Sequence, residues 1–304
     1  MKTKLILAPV DFSTGSRAAL EHAARLAVKL GAKLHVLHVI DSYALAMLAD
    51  KRGEPFDSAA KHSMDHARKA LDEWLGHSTL PAGYEVTLVI GAPVHEILEH
   101  VKSLGADLLV AGVAGAGGHA EGAGSVAGKL ARKSSSDVLL VRTGHPQAFG
   151  KVVAALDFSE HSARVATAAF DLAAADSTAA EVDLVHVWAD PGSMLPVMGP
   201  FGESGLSLAQ TSVPPHEELL QSVNASLKTH AQAAPGTLKV RPVALEHRKA
   251  ADGIAEHARA VNADLLVIGS LGRTNLRYLF LGSTAEKLLS RTPCSMLVVK
   301  PAVA

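Results

Sequence analysis

Along the chain, short unbroken apolar runs alternate with longer segments in which apolar residues recur every three or four positions. The runs Leu5 to Val10, Leu108 to Gly112, Lys151 to Leu156 and Leu265 to Gly269 have the length and continuity of strands buried on both faces. Between Ser16 and Leu30, the residues Leu20, Ala23, Ala24, Ala27 and Leu30 share one helical face, and Gly31 follows where a helix ends in the left-handed region. Gly105 and Asn262, each just ahead of an Ala-Asp-Leu-Leu-Val run, mark two further helix ends that need positive φ. Parallel strands require long right-handed crossovers, so this alternation predicts α/β architecture with a parallel sheet covered on both faces.

The pattern occurs twice. Lys4 to Ser13 ends in Asp-Phe-Ser and returns as Lys151 to Ser159; Leu37-His38-Val39 returns as Val185-His186-Val187. Gly124-Ser125-Val126-Ala127-Gly128-Lys129-Leu130 returns as Gly282-Ser283-Thr284-Ala285-Glu286-Lys287-Leu288, and each copy closes on a strand, Val138 to Val141 and Met296 to Val299. With 304 residues and two copies in order, the chain reads as two tandem doubly wound sandwiches, residues 1–144 and 150–304, each with its own core and joined by a short polar segment. Each Asp-Phe-Ser is expected to lead into a helix cap. The second copy is the longer between its landmarks, and the Pro- and Gly-rich stretch Pro191 to Gly205 reads as a surface insertion or a lid.

Candidate chemistry concentrates after the fourth strand of the second copy. There Gly269-Ser270-Leu271-Gly272, nine residues and then Gly282-Ser283-Thr284 form a loop whose glycines would let backbone N–H groups approach an anion, with two hydroxyls beside them. Asp157 ends the first strand at the same edge of the sheet, where a carboxylate suits a ribose or base rather than a phosphate.

Asp-Phe-Ser after the first strand, Val-His-Val in the second, Gly-x-x-Gly-x(9)-Gly-Ser-Thr after the fourth and a closing Leu-Val-Val-Lys resemble the universal stress protein family. The resemblance covers nearly the whole chain, twice. It implies a cytoplasmic stress-response protein holding ATP, with magnesium, in the second copy. Adenosine contacts would fall on Ala155, Leu156, Asp157 and Val187, with Ile268 near the base, and phosphate contacts on Gly269, Gly272, Gly282, Ser283 and Thr284. Arg273 stands either as a phosphate cation or as a solvated loop arginine. The corresponding residues of the first copy are Pro9, Val10, Asp11, Val39, Gly112, Gly115, Gly124 and Ser125. There the interval is eight residues, Val126 replaces a hydroxyl residue and Glu121 adds negative charge, which predicts a degenerate site kept for its fold. Members of the family commonly pair through their last strands, which implies an intramolecular pseudo-dimer here; a homodimer of whole chains and a regulatory protein partner are further expectations.

Composition trims the alternatives. The chain has 29 basic and 30 acidic residues and 4% aromatics without a basic run, so a nucleic-acid partner is not expected. No apolar stretch approaches membrane-spanning length and Asp11 interrupts the first apolar run early, so neither a membrane span nor a signal peptide is expected. Ala123 and Leu130 stand where a P-loop needs glycine and a hydroxyl residue, and no dinucleotide fingerprint follows the first strand. His62 and His66 share a helix face, as a chelating pair would, but no third ligand is in register, and the same holds for His95 and His100. His38 and His186 recur at matching strand ends as structural or ligand-adjacent residues, and Cys294, flanked by Pro293 and apolar residues, reads as a packed hydrophobe. A nucleotide-dependent regulator, a slow ATPase or transferase, and a scaffold without ligand remain as functional classes; no base with a defined position supports the second.

Overall fold

In the computed structural model, residues 3–113, 123–144, 148–189, 216–271 and 281–301 are described. The first half runs β1 (Leu5–Val10), α1 (Thr14–Leu30), β2 (Lys33–Asp41), α2 (Ser42–Arg52), α3 (Phe56–Gly76), β3 (Glu85–Gly91), α4 (Pro93–Leu104), β4 (Leu108–Gly112), α5 (Ser125–Lys133) and β5 (Asp137–Val141). The second runs β6 (Lys151–Ala155), α6 (Ser162–Asp176), β7 (Glu181–Trp188), α7 (His216–Ala231), β8 (Lys239–Glu246), α8 (Ala250–Ala260), β9 (Leu265–Gly269), α9 (Ser283–Leu289) and β10 (Ser295–Val299). The helix ends fall where the sequence demands them: Gly31, Gly105 and Asn262 have φ of 65°, 63° and 51°, and Gly31 caps α1 by donating to the Ala27 and Val28 carbonyls. The insertion Pro191 to Gly205 lies outside the described residues.

All ten described strands form one sheet in the order β3-β2-β1-β4-β5-β10-β9-β6-β7-β8. Within each half the pairing is parallel, and the halves meet where β5 and β10 run antiparallel, with Met296 opposite Leu140, Leu297 opposite Leu139 and Val298 opposite Val138. The expected intramolecular pairing of the closing strands is therefore present. It gives each of two strands that would otherwise be edges a hydrogen-bonded neighbour.

The cores divide differently from the expected one per half. Side chains alternate across a strand, and because the sheet is continuous each face gathers residues from both halves. One core joins Ile6, Leu20 and Leu139 to Val152, Phe170 and Leu297 beneath α1, α3, α6 and α7. The other joins Leu7, Ile97 and Leu140 to Ile254, Leu288 and Met296 beneath α4, α5, α8 and α9.

Polar contacts also cross the seam. Asp137, buried at the start of β5, accepts hydrogen bonds from the Lys300 N–H at 2.7 Å and from the Arg164 guanidinium at 3.0 and 3.1 Å. Burial pushes its carboxyl up even so. The Lys300 ammonium donates to the Ala131 carbonyl at 2.6 Å, and burial pulls it down to about 8 against the attraction of Asp137. Arg132 of α5 pairs with Glu286 of α9.

The joining segment, expected to be simply polar, holds an anchor. Phe149 is 1% exposed and stacks on His22 of α1 with ring centres 5.0 Å apart, while its N–H donates to Asp176 of α6 at 2.7 Å. Arg25 of α1 reaches the same carboxylate at 2.7 Å. Burial, then the charge of Arg25, lowers His22 to about 4, so this ring stays neutral at pH 7 and packs as an aromatic. Cys294 is fully buried, and that burial raises its thiol to about 12. Since the thiolate is the nucleophile, the native protein should not react with a disulfide reagent at pH 8. One thiol per chain should titrate after denaturation; prompt native labelling would contradict this placement.

Candidate functional site

The site lies where the chain's crossovers change direction. From β6 the chain passes to its neighbour β7, whereas its other neighbour, β9, arrives from the far side of the sheet. At such a switch point the loops leaving adjacent strands turn opposite ways and leave a crevice at the carboxyl ends. The crevice here is a cavity of about 310 Å³, at the lower end of the range usual for small-molecule pockets.

Nine predicted residues line this cavity together: Ala155, Leu156, Asp157, Val187, Ile268, Gly269, Gly282, Ser283 and Thr284. Gly272 and Arg273, the other two, lie outside the described residues. Apolar walls come from Leu156, Val187 and Ile268, joined by Val165, Val185 and Ile254. The polar groups are set around them. One oxygen of Asp157 accepts from the Ser159 N–H at 2.9 Å and the Ser162 hydroxyl at 3.1 Å. His186 donates from Nδ1 to the Leu156 carbonyl at 2.7 Å, and Phe158 stacks on it with ring centres 4.0 Å apart. That stacking accompanies a φ of 57° at Phe158, repeated as 63° at Phe12. A bulky residue adopts this region only at a cost, so both copies hold the turn after the first strand in the same strained form. His186 is thus held by structural contacts and also lines the cavity.

Two amides of the expected anion cradle are already engaged at the neck of the glycine loop, whose residues 272–280 lie outside the described ones. Gly282 donates its N–H to the Ser270 carbonyl at 2.7 Å, and Ser270 donates to Val299 at 2.8 Å. Those amides pin the neck of the loop and are not free for a ligand. Among the described residues this side also offers the first-turn N–H groups of α9 and the hydroxyls of Ser283, exposed, and Thr284, half-buried. The first half repeats the neck, with Gly124 donating to Val113 at 2.7 Å and Val113 to Val141 at 2.9 Å.

The other first-half candidates occupy equivalent positions. Pro9 and Val10 end β1, Val39 lies on β2, and Gly124 and Ser125 open α5; Gly115 lies outside the described residues. Asp11 accepts from Ser13 N–H at 3.1 Å and Ser13 Oγ at 2.5 Å. Gly112 has a packing role: a Cβ there would sit 2.7 Å from the Gly15 carbonyl carbon, so α1 crosses β4 at backbone contact. At Gly269 the corresponding Cβ would lie 3.4 Å from Val165 Cγ2 and 3.2 Å from the Leu271 carbonyl oxygen.

Sequence reasoning missed Ser159, His161, Val165, Val185, Ala250, Ile254, Leu271 and Ala285. Ser159 belongs to a motif already visible, and aligning the copies on Asp-Phe-Ser would have shown His161 in the place of Gly15. Ala250 and Ile254 reach the cavity because α8 packs beside β7, which no local signal announces. The expected helix cap also forms in one copy only: Ser13 Oγ accepts from Ser16 N–H at 3.0 Å to cap α1, whereas α6 starts at Ser162 with no side-chain cap. Among the described residues no group of three or more His, Cys, Asp or Glu is placed to hold a metal ion. His62 contacts Glu54 at 2.9 Å. No described helix is long and apolar enough to cross a membrane.

The family model described as "Universal stress protein family" matches residues 2–142 and again 148–300. A universal stress protein of Mycolicibacterium smegmatis is 26% identical over 306 aligned residues, covering 97% of each chain. The stress response protein NhaX of Bacillus subtilis is 29% identical over 166 residues, 49% of this chain and 97% of its own. The crystal structure of a universal stress protein from Archaeoglobus fulgidus superposes with a TM-score of 0.62 at 21% identity, covering 99% of this chain and 97% of that one.

Proposed function

The chain belongs to the universal stress protein family, which it matches in two tandem copies, and on that premise we propose that its second half binds an adenine nucleotide, ATP with magnesium, as the input of a stress-response regulator. The observation that carries the reading is the convergence of nine predicted residues from β6, β7, β9 and the start of α9 on one cavity. Its chemistry suits a nucleotide. Leu156, Val187 and Ile268 offer apolar surface to a flat base, Asp157 offers a carboxylate acceptor to ribose or base N–H and O–H donors, and the Ser283 and Thr284 hydroxyls can donate to phosphate oxygens.

Magnesium would enter with the phosphates, which it binds together with water and few protein oxygens; it supplies charge neutralisation. The Ser283 and Thr284 hydroxyls, on the phosphate side of the cavity, are the protein oxygens that would stand beside it, while Asp157 stays at the nucleoside end. Regulation, rather than turnover, is the proposed output: occupancy would bias which conformation or partner the chain favours. A homodimer of whole chains, an unidentified protein partner and a cytoplasmic location complete the proposal.

Titration calorimetry with ATP and magnesium tests it. Saturable heat is expected, with thermal stabilisation worth about 2.7 kcal/mol at a hundredfold excess over Kd. Neither heat nor stabilisation would remove the nucleotide reading. Mass spectrometry of the unheated protein tests the output, since co-purified ATP alone fits a regulator whereas accumulating ADP would mark turnover.

A further inference from the structure

The two copies also differ at the first turn after Asp-Phe-Ser. In the first copy α1 begins at Thr14, and Ser13 is fully used: it caps the helix through Ser16 N–H and donates to Asp11. In the second copy the helix begins at Ser162, two residues later by alignment on the motif, with His161 as N-cap at φ −85° and ψ −12° and no side-chain cap bond. Ser159, the counterpart of Ser13, is left with a buried hydroxyl that has no hydrogen-bond partner among the described residues. Folded proteins rarely leave such a group unpaired without a role for it. Both Ser159 and His161 line the cavity, whereas Gly15, the counterpart of His161, is pressed against Gly112.

The position of this turn fixes which end of a ligand it meets. Val165 lies one helical turn beyond His161, on the same face of α6, and its Cγ2 is 3.4 Å from where a Cβ on Gly269 would stand. The start of α6 therefore flanks the mouth of the glycine loop. The titratable groups lining the cavity are Asp157, His161 and His186, and Glu160 stands 3.5 Å from His161 Nε2. His186 Nδ1 is committed to the Leu156 carbonyl, and Arg164, on α6, is bound to Asp137 across the seam and to the Lys300 carbonyl of its own half.

We infer that the shortened start of α6, through the Ser159 hydroxyl and the His161 imidazole, forms a second set of donors to the phosphate end of the nucleotide and sets a preference for ATP over adenosine. This rests on the nucleotide reading of the site. An imidazole N–H and a hydroxyl are both suited to phosphate oxygens, and bonds to a charged acceptor are the stronger kind.

The test compares ATP and adenosine, each with magnesium, by titration calorimetry on the full chain and on the variants Ser159→Ala, Ser159→Thr and His161→Ala. Each alanine variant should lose about tenfold or more in ATP affinity, while adenosine affinity stays within about twofold. Ser159→Thr, which keeps the hydroxyl, should retain the ATP preference. Neither side chain caps α6, so the unliganded variants should melt with the parent. An unchanged ratio of ATP to adenosine affinity, or an equal loss for both ligands, overturns the inference and leaves the nucleotide reading standing. A parent that binds neither ligand removes both.

Discussion

Replacing Gly282 by aspartate is expected to abolish ATP binding, with a loss of more than about a hundredfold in affinity, while leaving the fold intact. Gly282 has φ −68° and ψ 153° at the N-cap of α9, a conformation open to any residue and one in which aspartate is a favoured cap. The substitution keeps the backbone N–H that closes the loop on Ser270. It adds a carboxylate at the rim of the cavity beside Ser283 and Thr284. Two like charges brought together in a partly desolvated site cost several kcal/mol, and about 2.8 kcal/mol is a hundredfold. Calorimetry with ATP and magnesium, run beside thermal melts of the unliganded proteins, checks both halves of the expectation. Equal affinity in mutant and parent would mean that phosphate does not sit at this loop.

The second large effect concerns stability. Asp183 on β7 is 1% exposed, and its carboxylate meets Arg241 at 3.0 Å through Nε, His257 Nε2 at 2.9 Å and Lys151 at 3.8 Å. Burial by itself would raise its pKa, but the hydrogen bonds from His257 and Arg241 and the charges of Lys151 and Arg241 outweigh it and hold the group at about 2. A carboxyl depressed on folding binds fewer protons in the native state than in the unfolded one. Its stabilisation is therefore complete above the unfolded value, about 3.9, and is lost as pH falls through about 2. Asp183→Asn should cost on the order of 2.5 kcal/mol at pH 7, measured by chemical denaturation. The gap between parent and mutant should narrow between pH 4 and 2. Glu181, held at about 2 by Lys151 and Lys239, titrates over the same range and shares Lys151 with Asp183, so the comparison is repeated in a Glu181→Gln background. A gap independent of pH would show that the mutation acts through packing alone.

Much of the site was legible because its residues belong to motifs that are local in sequence. A strand ending in Asp-Phe-Ser, or a glycine pair after another strand, is set by one short stretch of backbone, and the repeat supplied each twice. Residues brought in by helix packing gave no such signal. Ala250 and Ile254 line the cavity only because α8 lies beside β7, and Phe149 is buried only because α1 and α6 converge on the joining segment. The amide of Gly282 illustrates a different limit. Its identity pointed to an anion cradle, whereas its hydrogen bond to Ser270 is decided by where the two ends of the loop meet.

The α/β alternation, the duplication and the positive-φ helix ends at Gly31, Gly105 and Asn262 were determined by the sequence alone, since each follows from periodicity or from the conformational range of a single residue. Tertiary structure decided that the two halves share one sheet and two face-wise cores, that Ser13 caps a helix while Ser159 is left unpaired, and which amides are already taken. The shared sheet depends on strands from opposite halves meeting at atomic distance, and the cap and the loop neck on nearer partners whose choice is made by the packing around them. No local pattern encodes such a meeting, because every partner in it is set by the packing of the whole.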